Sequence, residues 1–284
     1  MNLPSAAAGR VPPPSRNQRV DGAARIAFGP TGIADLYQRA PCRMLFPDGE
    51  AGEPQQAVSI TTSGGLTGGD RIRVEFAVAA DTMATLSTQA AEKLYRVLPG
   101  EADIRIETHV AIAERGWGEW LAQEAILFDG TRVRRSFEAD VAATGRLLAV
   151  ESLVFGRSAM GETMRRGRIH DSWRIRRDGR LIWVDALRLD GDIQAQLAAP
   201  FAFGEARSTA TIVYVGTDAP AHLEAVRALI GAAHGGATSF DGMLIVRLAD
   251  ADAAALRRAV ATVTGGLRAR AAGLARILPA VWHC

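Results

Sequence analysis

The sequence predicts a mainly β protein of stacked two-strand units, followed by a carboxyl-terminal portion with two α-helices. Three observations carry this. Apolar and polar residues alternate with period two in several stretches before residue 190. Those stretches restart near Asp70, Asp103 and Thr131, roughly every thirty residues, as stacked units do. After residue 220 the apolar spacing changes to that of helices.

Residues 1–22 are rich in Pro and Ala and contain no apolar h-region, so they read as a mobile tail rather than a signal peptide. A single domain is expected over 23–284, β-rich over 23–204 and β-α-β-α over 205–284. In the first clear strand Ile72, Val74, Phe76 and Val78 face one way and Arg71, Arg73 and Glu75 the other. Ile104, Ile106, Val110 and Ile112 alternate with Arg105, Glu107 and His109 in the same way. Val133, Phe137, Ala139 and Val141 do so against Arg134, Ser136, Glu138 and Asp140. Partner strands follow at 83–88, 117–124 and 147–155. The sections that open with Arg71-Ile72-Arg73 and Arg132-Val133-Arg134 read alike, which suits a degenerate repeat. An ordinary antiparallel meander accounts for the pattern equally well.

Trp173 and Ile175 then alternate with Arg174 and Arg176, and Asp178-Gly179 supplies the positive-φ pair of a type I′ hairpin turn into 181–187. A short strand at 211–215 precedes Asp218 and Pro220, which signal a helix start. Leu223, Val226, Leu229 and Ile230 share one face of that helix, and Gly235-Gly236 break it. After a strand at 243–248, Asp250 or Asp252 opens a second helix carrying Leu256, Val260 and Val263, interrupted at Gly265-Gly266. The helices are therefore expected near 220–232 and 251–264.

The bulk composition excludes several function classes. With 284 residues, 48% of them apolar, the chain can bury a sizeable core. Its 33 basic and 31 acidic residues leave a net charge of +2, which favours neither nucleic acid nor an anionic membrane. Lys93 is the only lysine, so the basic charge is almost wholly arginine, whose fork suits bidentate carboxylate contacts. Residues 151–180 hold eight arginines against four acids. Those arginines alternate along strands with no aromatic stacking array, which points to a solvated or partner-facing surface. No stretch approaches the ~18 apolar residues of a membrane span. Cys42 and Cys284 cannot make a disulfide framework or a Cys-rich zinc site, and His283-Cys284 reads as a solvated tail. A cytoplasmic location is expected.

Catalytic signatures do not emerge. The run Gly64-Gly65-Leu66-Thr67-Gly68-Gly69-Asp70 leads into a strand and lacks the Gly-Lys-Ser/Thr ending of a phosphate loop, so a tight turn with close backbone approach is expected. His109, His170, His222, His234 and His283 stand at no metal-hydrolase spacing, and no Gly-x-Ser-x-Gly elbow occurs. One carboxylate stands out. Glu151 sits in Leu147-Leu148-Ala149-Val150-Glu151-Ser152-Leu153-Val154-Phe155. Buried there, it must pair with an arginine, meet water in a cavity or take up a proton. Glu124, beside Trp120, Leu121 and the apolar stretch 125–128, is a weaker instance.

Four strings, taken together, resemble the signatures of the urease accessory protein UreD (UreH) family. The first is Ser63 followed by the glycine run that ends at Asp70, and the second is Ser87-Thr88-Gln89-Ala90-Ala91-Glu92-Lys93-Leu94-Tyr95-Arg96. Glu119-Trp120-Leu121-Ala122-Gln123-Glu124-Ala125-Ile126 is the third, with Ala122 where the family usually has proline. The fourth runs from Glu151-Ser152 through Gly156-Arg157-Ser158-Ala159-Met160-Gly161-Glu162. They run in family order across 25–190; the carboxyl-terminal third resembles the family loosely, and Ala280 stands before Val281-Trp282 where an arginine is common.

The resemblance implies a two-layered β-superhelix with two helices and a non-catalytic urease maturation factor. Such a factor binds apo-urease and UreF, joins the GTPase UreG through UreF, and enables GTP-dependent nickel incorporation into urease, with nickel supplied by UreE. Two copies are expected in the accessory complex. No tightly bound cofactor is implied; nickel passes transiently, and Asp70, Glu119, Glu124, Glu151 and Glu162, all within the signatures, are the candidates to line its path. Gly64, Gly65, Gly68, Gly69 and Arg157 are the candidates for structure and assembly, Arg157 as a partner for Glu151. Two other readings are a generic β-solenoid adaptor and a carbohydrate-active β-solenoid enzyme. The second needs an aromatic-lined groove, from only five tryptophans and three tyrosines.

Overall fold

The computed structural model describes residues 19–49, 52–157, 160–200 and 202–283. The tail expected over 1–22 lies outside the described residues up to 18, and the first strand begins at Asp21, two residues before the expected boundary. The amino-terminal part contains β1 (Asp21–Gly29), β2 (Gly32–Arg39), β3 (Cys42–Leu45), β4 (Gln55–Thr61), β5 (Arg71–Val78), β6 (Met83–Thr88) and β7 (Glu92–Leu94). The middle contains β8 (Ile104–Ile112), β9 (Trp117–Leu121), β10 (Ala125–Leu127), β11 (Arg132–Val141) and β12 (Arg146–Phe155). The long hairpin of β13 (Arg166–Arg177) and β14 (Arg180–Asp192) follows, then α1 (Ile193–Leu197). The remainder is β15 (Ser208–Val215), α2 (Leu223–Ile230), β16 (Gly235–Phe240), β17 (Met243–Asp250) and α3 (Ala253–Ala272).

The strands form two sheets. Seven lie in the order β14-β13-β11-β8-β5-β1-β2, and the ten-stranded sheet runs β16-β17-β15-β12-β9-β6-β4-β3, with β10 beside β12 and β7 beside β10. Successive strands alternate between the sheets: β5, β8 and β11 belong to the first, β6, β9 and β12 to the second. Neighbours in each of these sets are parallel. The meander alternative therefore fails, because a meander needs antiparallel neighbours. Its period-two signal is the same in either direction, so alternation alone could not decide.

The inward faces of β5, β6, β8, β9, β11 and β12 pack between the sheets. Val74, Phe76 and Val78 of β5 meet Leu86, Trp120, Leu147 and Ala149 of the other sheet in one core. A second core lies on the far side of the ten-stranded sheet. There Trp117, Leu148, Val150, Ile212, Tyr214, Leu244 and Val246 pack against Val226, Ile230, Leu256, Val260, Val263 and Leu267 of α2 and α3. Hence β12 is buried on both faces, which explains its near-continuous apolar run.

The carboxyl-terminal helices fall where the periodicity places them, with two corrections. Helix α3 does not end at Gly265-Gly266 but continues to Ala272, capped by Asp252 at its start and by left-handed Gly273 at its end. A Cβ at Gly265 would stand 2.0 Å from the Arg276 carbonyl oxygen, and one at Gly266 2.2 Å from Leu229 Cδ1. The glycines thus permit close packing, which offsets about 1 kcal/mol each of lost helix propensity. Gly235-Gly236 do not merely break α2; they begin β16, whose turn to β17 uses Asp241 (φ 48°) and Gly242 (φ 72°). The expected Asp178-Gly179 turn is present with φ of 49° and 73°. Helix α1 was not anticipated, since five residues carry too little periodicity; Asp192 caps it by accepting from the Ala195 N–H. No helix among the described residues is long and apolar enough to cross a membrane.

Candidate functional site

Three adjacent elements bring charged residues into the space between the sheets. On β12, Glu151 shares the inward parity of Leu147, Ala149 and Leu153. On β11, Arg135 shares that of Val133 and Phe137, and on β13 Asp171 shares that of Ile169 and Trp173. Arg135 and Asp171 are register partners across the β11–β13 pair. The three are 9%, 8% and 6% exposed for Arg135, Asp171 and Glu151.

Arg135 Nη2 donates to Glu151 Oε2 at 2.7 Å, and Trp120 Nε1 donates to Glu151 Oε1 at 3.3 Å. Arg135 Nη1 stands 3.7 Å from Asp171 Oδ1, and neither of these two atoms has a hydrogen-bond partner among the described residues. Burial pushes the Glu151 carboxyl up to about 7, against the pull of Arg135. Burial likewise raises Asp171, again opposed by Arg135. Glu92 of β7 is raised by burial and lowered by Thr61 and then Arg135. Burial works against the Arg135 charge, but Asp171, Glu151 and Glu92 outweigh it and keep the guanidinium charged. One guanidinium thus faces several carboxylates, a surplus of negative charge that a bound proton or a further cation would relieve.

Two cavities adjoin the cluster. One of about 170 Å³ is lined by Thr61, Thr88, Gln89, Glu92, Arg135 and Glu151 among others. The other, of about 90 Å³, is lined by Glu151, Asp171, Asp185, Thr209, Thr211 and Arg247. Glu151 borders both. Each is large enough for water, and each is lined partly by oxygen ligands.

The five carboxylates singled out from the sequence do not converge. Asp70 is buried and caps the glycine loop, accepting from the Val20 and Thr67 N–H groups at 2.8 Å each. Glu119 points the other way from Glu151, into the helix-side core, where it accepts from Thr85 Oγ1 at 2.6 Å and Arg268 Nε at 2.8 Å. Glu124 pairs with Arg257 of α3 at 2.7 Å. Glu162 pairs with Arg157 at 2.5 Å. The arginine expected for Glu151 is therefore Arg135 and not Arg157, which stacks over Phe128 at 4.3 Å and serves Glu162. Among the described residues no three His, Cys, Asp or Glu side chains stand close enough to hold a metal ion together.

The glycine loop is held for two reasons. Gly64, Gly65 and Gly69 have φ of 74°, 139° and 83°. Gly68 does not; a Cβ there would stand 2.8 Å from Glu101 Cβ and 2.9 Å from Val97 Cγ1. Positive φ therefore accounts for Gly69, and close packing for Gly68.

Sequence reasoning missed Arg135, Asp171 and Glu92. The signal for the first two was their parity: each is a charge at an inward position of an alternating strand. The chain is docked as far as Trp282, just before the expected solvated pair His283-Cys284; Trp282 Nε1 donates to the Leu121 carbonyl at 3.2 Å. Gln123 Nε2 donates to the Val281 carbonyl at 2.8 Å. His283 is exposed beyond it, and Cys284 lies outside the described residues.

With the geometry in place, comparison with known proteins is direct. The family model described as UreD urease accessory protein matches residues 20–283. A urease accessory protein UreD from Rhizobium leguminosarum bv. trifolii (strain WSM2304) is 39% identical, covering 95% of this chain and 97% of its own. The UreD of Methylobacterium sp. (strain 4-46) is 40% identical over 96% and 98% of the two chains. That of Xanthobacter autotrophicus (strain ATCC BAA-1158 / Py2) is 43% identical over 85% and 84%. The match runs through both sheets, both cores and the buried cluster, and the chain belongs to the UreD urease accessory protein family.

Proposed function

We propose that this protein is a non-catalytic urease maturation factor that binds apo-urease and, with UreF and UreG, enables GTP-dependent nickel insertion. Nickel is its cargo, and its route runs between the two sheets past Glu151. The observation that carries this reading is the position of Glu151 between two cavities, with more carboxylate than guanidinium around it. A resident site needs several converging nitrogen or sulfur ligands to grip a borderline metal. A path with scattered oxygens binds weakly and releases. We further read the alternation of parallel strands between the sheets as the two-layered superhelix of the family.

A second reading has its own support: the 2.7 Å ion pair of Glu151 with Arg135 would hold the sheets together without any cargo. Glu151→Gln separates the two. It keeps the shape and the Trp120 contact and removes the charge, while Asp171 remains beside Arg135. On the cargo reading the variant folds and assembles with UreF and apo-urease, and activation of urease falls. Normal activation by the folded variant leaves only the structural role.

A further inference from the structure

The outer face of the seven-stranded sheet carries its charges in rows across the strands. The register sets Arg71 of β5 beside Arg105 of β8, and Arg105 beside Arg134 of β11. Arg134 stands beside His170 of β13, and His170 beside Arg188 of β14. Five cationic or imidazole side chains therefore form one line on five adjacent strands. The four arginines are exposed and His170 is half-buried. With strands 4.7–4.9 Å apart, the line runs about 19 Å. Asp21 of β1 continues it at one end, where it is already paired with Arg39.

The next row holds Arg132, Arg168, Asp103 and Asp190. Asp103 contacts Arg132, Arg134 and Arg168, and Asp190 contacts Arg168. The two rows together hold six arginines against two aspartates. Arg71, Arg105 and Arg188 form no ion pair among the described residues. Elsewhere the same face closes its own charges: Arg73 with Glu107, His109 with Asp140, and Arg174 and Arg176 with Glu138.

Like charges side by side on neighbouring strands destabilise a sheet. Among the described residues only Arg134 of this row meets a carboxylate, that of Asp103, and an anion from outside would relieve the rest. We propose that the row is a docking surface for an acidic α-helix of a protein partner, laid across the strands. Side chains three and four positions apart on a helix stand about 5–6 Å apart along one stripe. That nearly matches the strand separation, so successive carboxylates would each meet one arginine. An extended acidic segment repeats its same-face side chains about every 6.7 Å and drifts out of phase within a few contacts. Apart from the half-buried His170, neither row contains an aromatic residue on which a nucleic-acid base could stack. The inference stands apart from the nickel route, since it concerns the solvent face of the seven-stranded sheet and not the space between the sheets.

Fluorescence anisotropy with the full-length protein tests it. Two labelled helical peptides of identical composition are compared, one with its glutamates at i, i+3/i+4 along a single stripe and one with them spread around the helix. A single-stranded oligothymidylate is the third probe. The striped peptide should bind at least about tenfold tighter than its isomer, with affinity that falls steeply with salt. Arg105→Glu/Arg134→Glu should remove that preference, and Arg174→Glu/Arg176→Glu should keep it. If the first double variant fails to give a native circular-dichroism melt, Arg105→Gln/Arg134→Gln takes its place. Equal binding of the two peptides, tighter binding of the oligonucleotide, or unchanged binding by the folded row variants would overturn the proposal.

Discussion

Replacing Arg268 with methionine is expected to destabilise the protein by about 3–5 kcal/mol, the range for removing one partner of a buried ion pair. Arg268 is fully buried on α3. It donates to Glu119 Oε1 at 2.8 Å, to Glu53 Oε2 at 2.5 Å, and to the carbonyls of Ala275 and Ile277 at 3.1 and 2.8 Å. It thereby ties the last helix to β9, to the segment before β4 and to the chain beyond α3. Methionine fills much of the volume but leaves the fully buried Glu119 with Thr85 as its remaining donor. That uncompensated carboxylate dominates the loss; each orphaned carbonyl adds up to about 1–3 kcal/mol if no water reaches it. Urea unfolding followed by circular dichroism measures the change. Arg39→Ala, which breaks an exposed pair with Asp21, should move stability by less than about 1 kcal/mol. Adding Glu119→Leu to Arg268→Met should cost less than the two single losses summed, because the stranded charge leaves with it. A loss below about 1 kcal/mol for Arg268→Met would refute the reasoning.

Four further outcomes follow. Because burial raises Glu151 to about 7 against an ordinary value of 4.5, the folded state holds a proton there that the unfolded state has lost. The stabilisation is present below about 4.5 and is lost as pH rises to about 7. Wild type should thus lose stability relative to Glu151→Gln across this window, as read by urea unfolding at several pH values; parallel profiles would contradict it. Gly65→Ala should destabilise more than Gly64→Ala in thermal melts. Both positions have positive φ, but only at Gly65 does the new Cβ meet Tyr95 at 2.4 Å and the Lys93 carbonyl at 2.9 Å. Gly265→Ala should also lower the melting temperature despite alanine's better helix propensity, since its Cβ would press on backbone at Arg276; a rise would show that this helix end simply shifts. The isolated chain should show no tight GTP binding by calorimetry, because its glycine run feeds β5 rather than a helix amino terminus.

Much of the fold could be read from alternation, because half-buried strands such as β5 and β11 expose one face to water. Strand direction could not, since period two is blind to it. Gly265 and Gly266 misled because a glycine weakens an isolated helix, whereas here close neighbours fill the space a side chain would take. At the site, Glu151 drew notice as a charge in an apolar run. Arg135 and Asp171 escaped because their strands are rich in arginine and acid on the outer face, and only parity separates Arg135 from Arg134. Glu119 and Glu151 sit on strands whose two faces are both buried, so the sequence could not say which core each entered. The structure sends them to opposite sides of one sheet.

The most direct test of the nickel route is to obstruct it. Partly buried Ala91 lines the 170 Å³ cavity that Glu151 borders, and Ala91→Trp is designed to fill it with an indole while leaving Glu151, Arg135 and Asp171 themselves unchanged. The nickel content of urease re-isolated after activation with UreF, UreG and this variant is measured beside wild type, with assembly checked by size-exclusion chromatography. The route through the sheets predicts intact assembly and a nickel content close to that obtained without this protein. Full nickel loading by an assembled variant whose cavity is seen to be filled would contradict it.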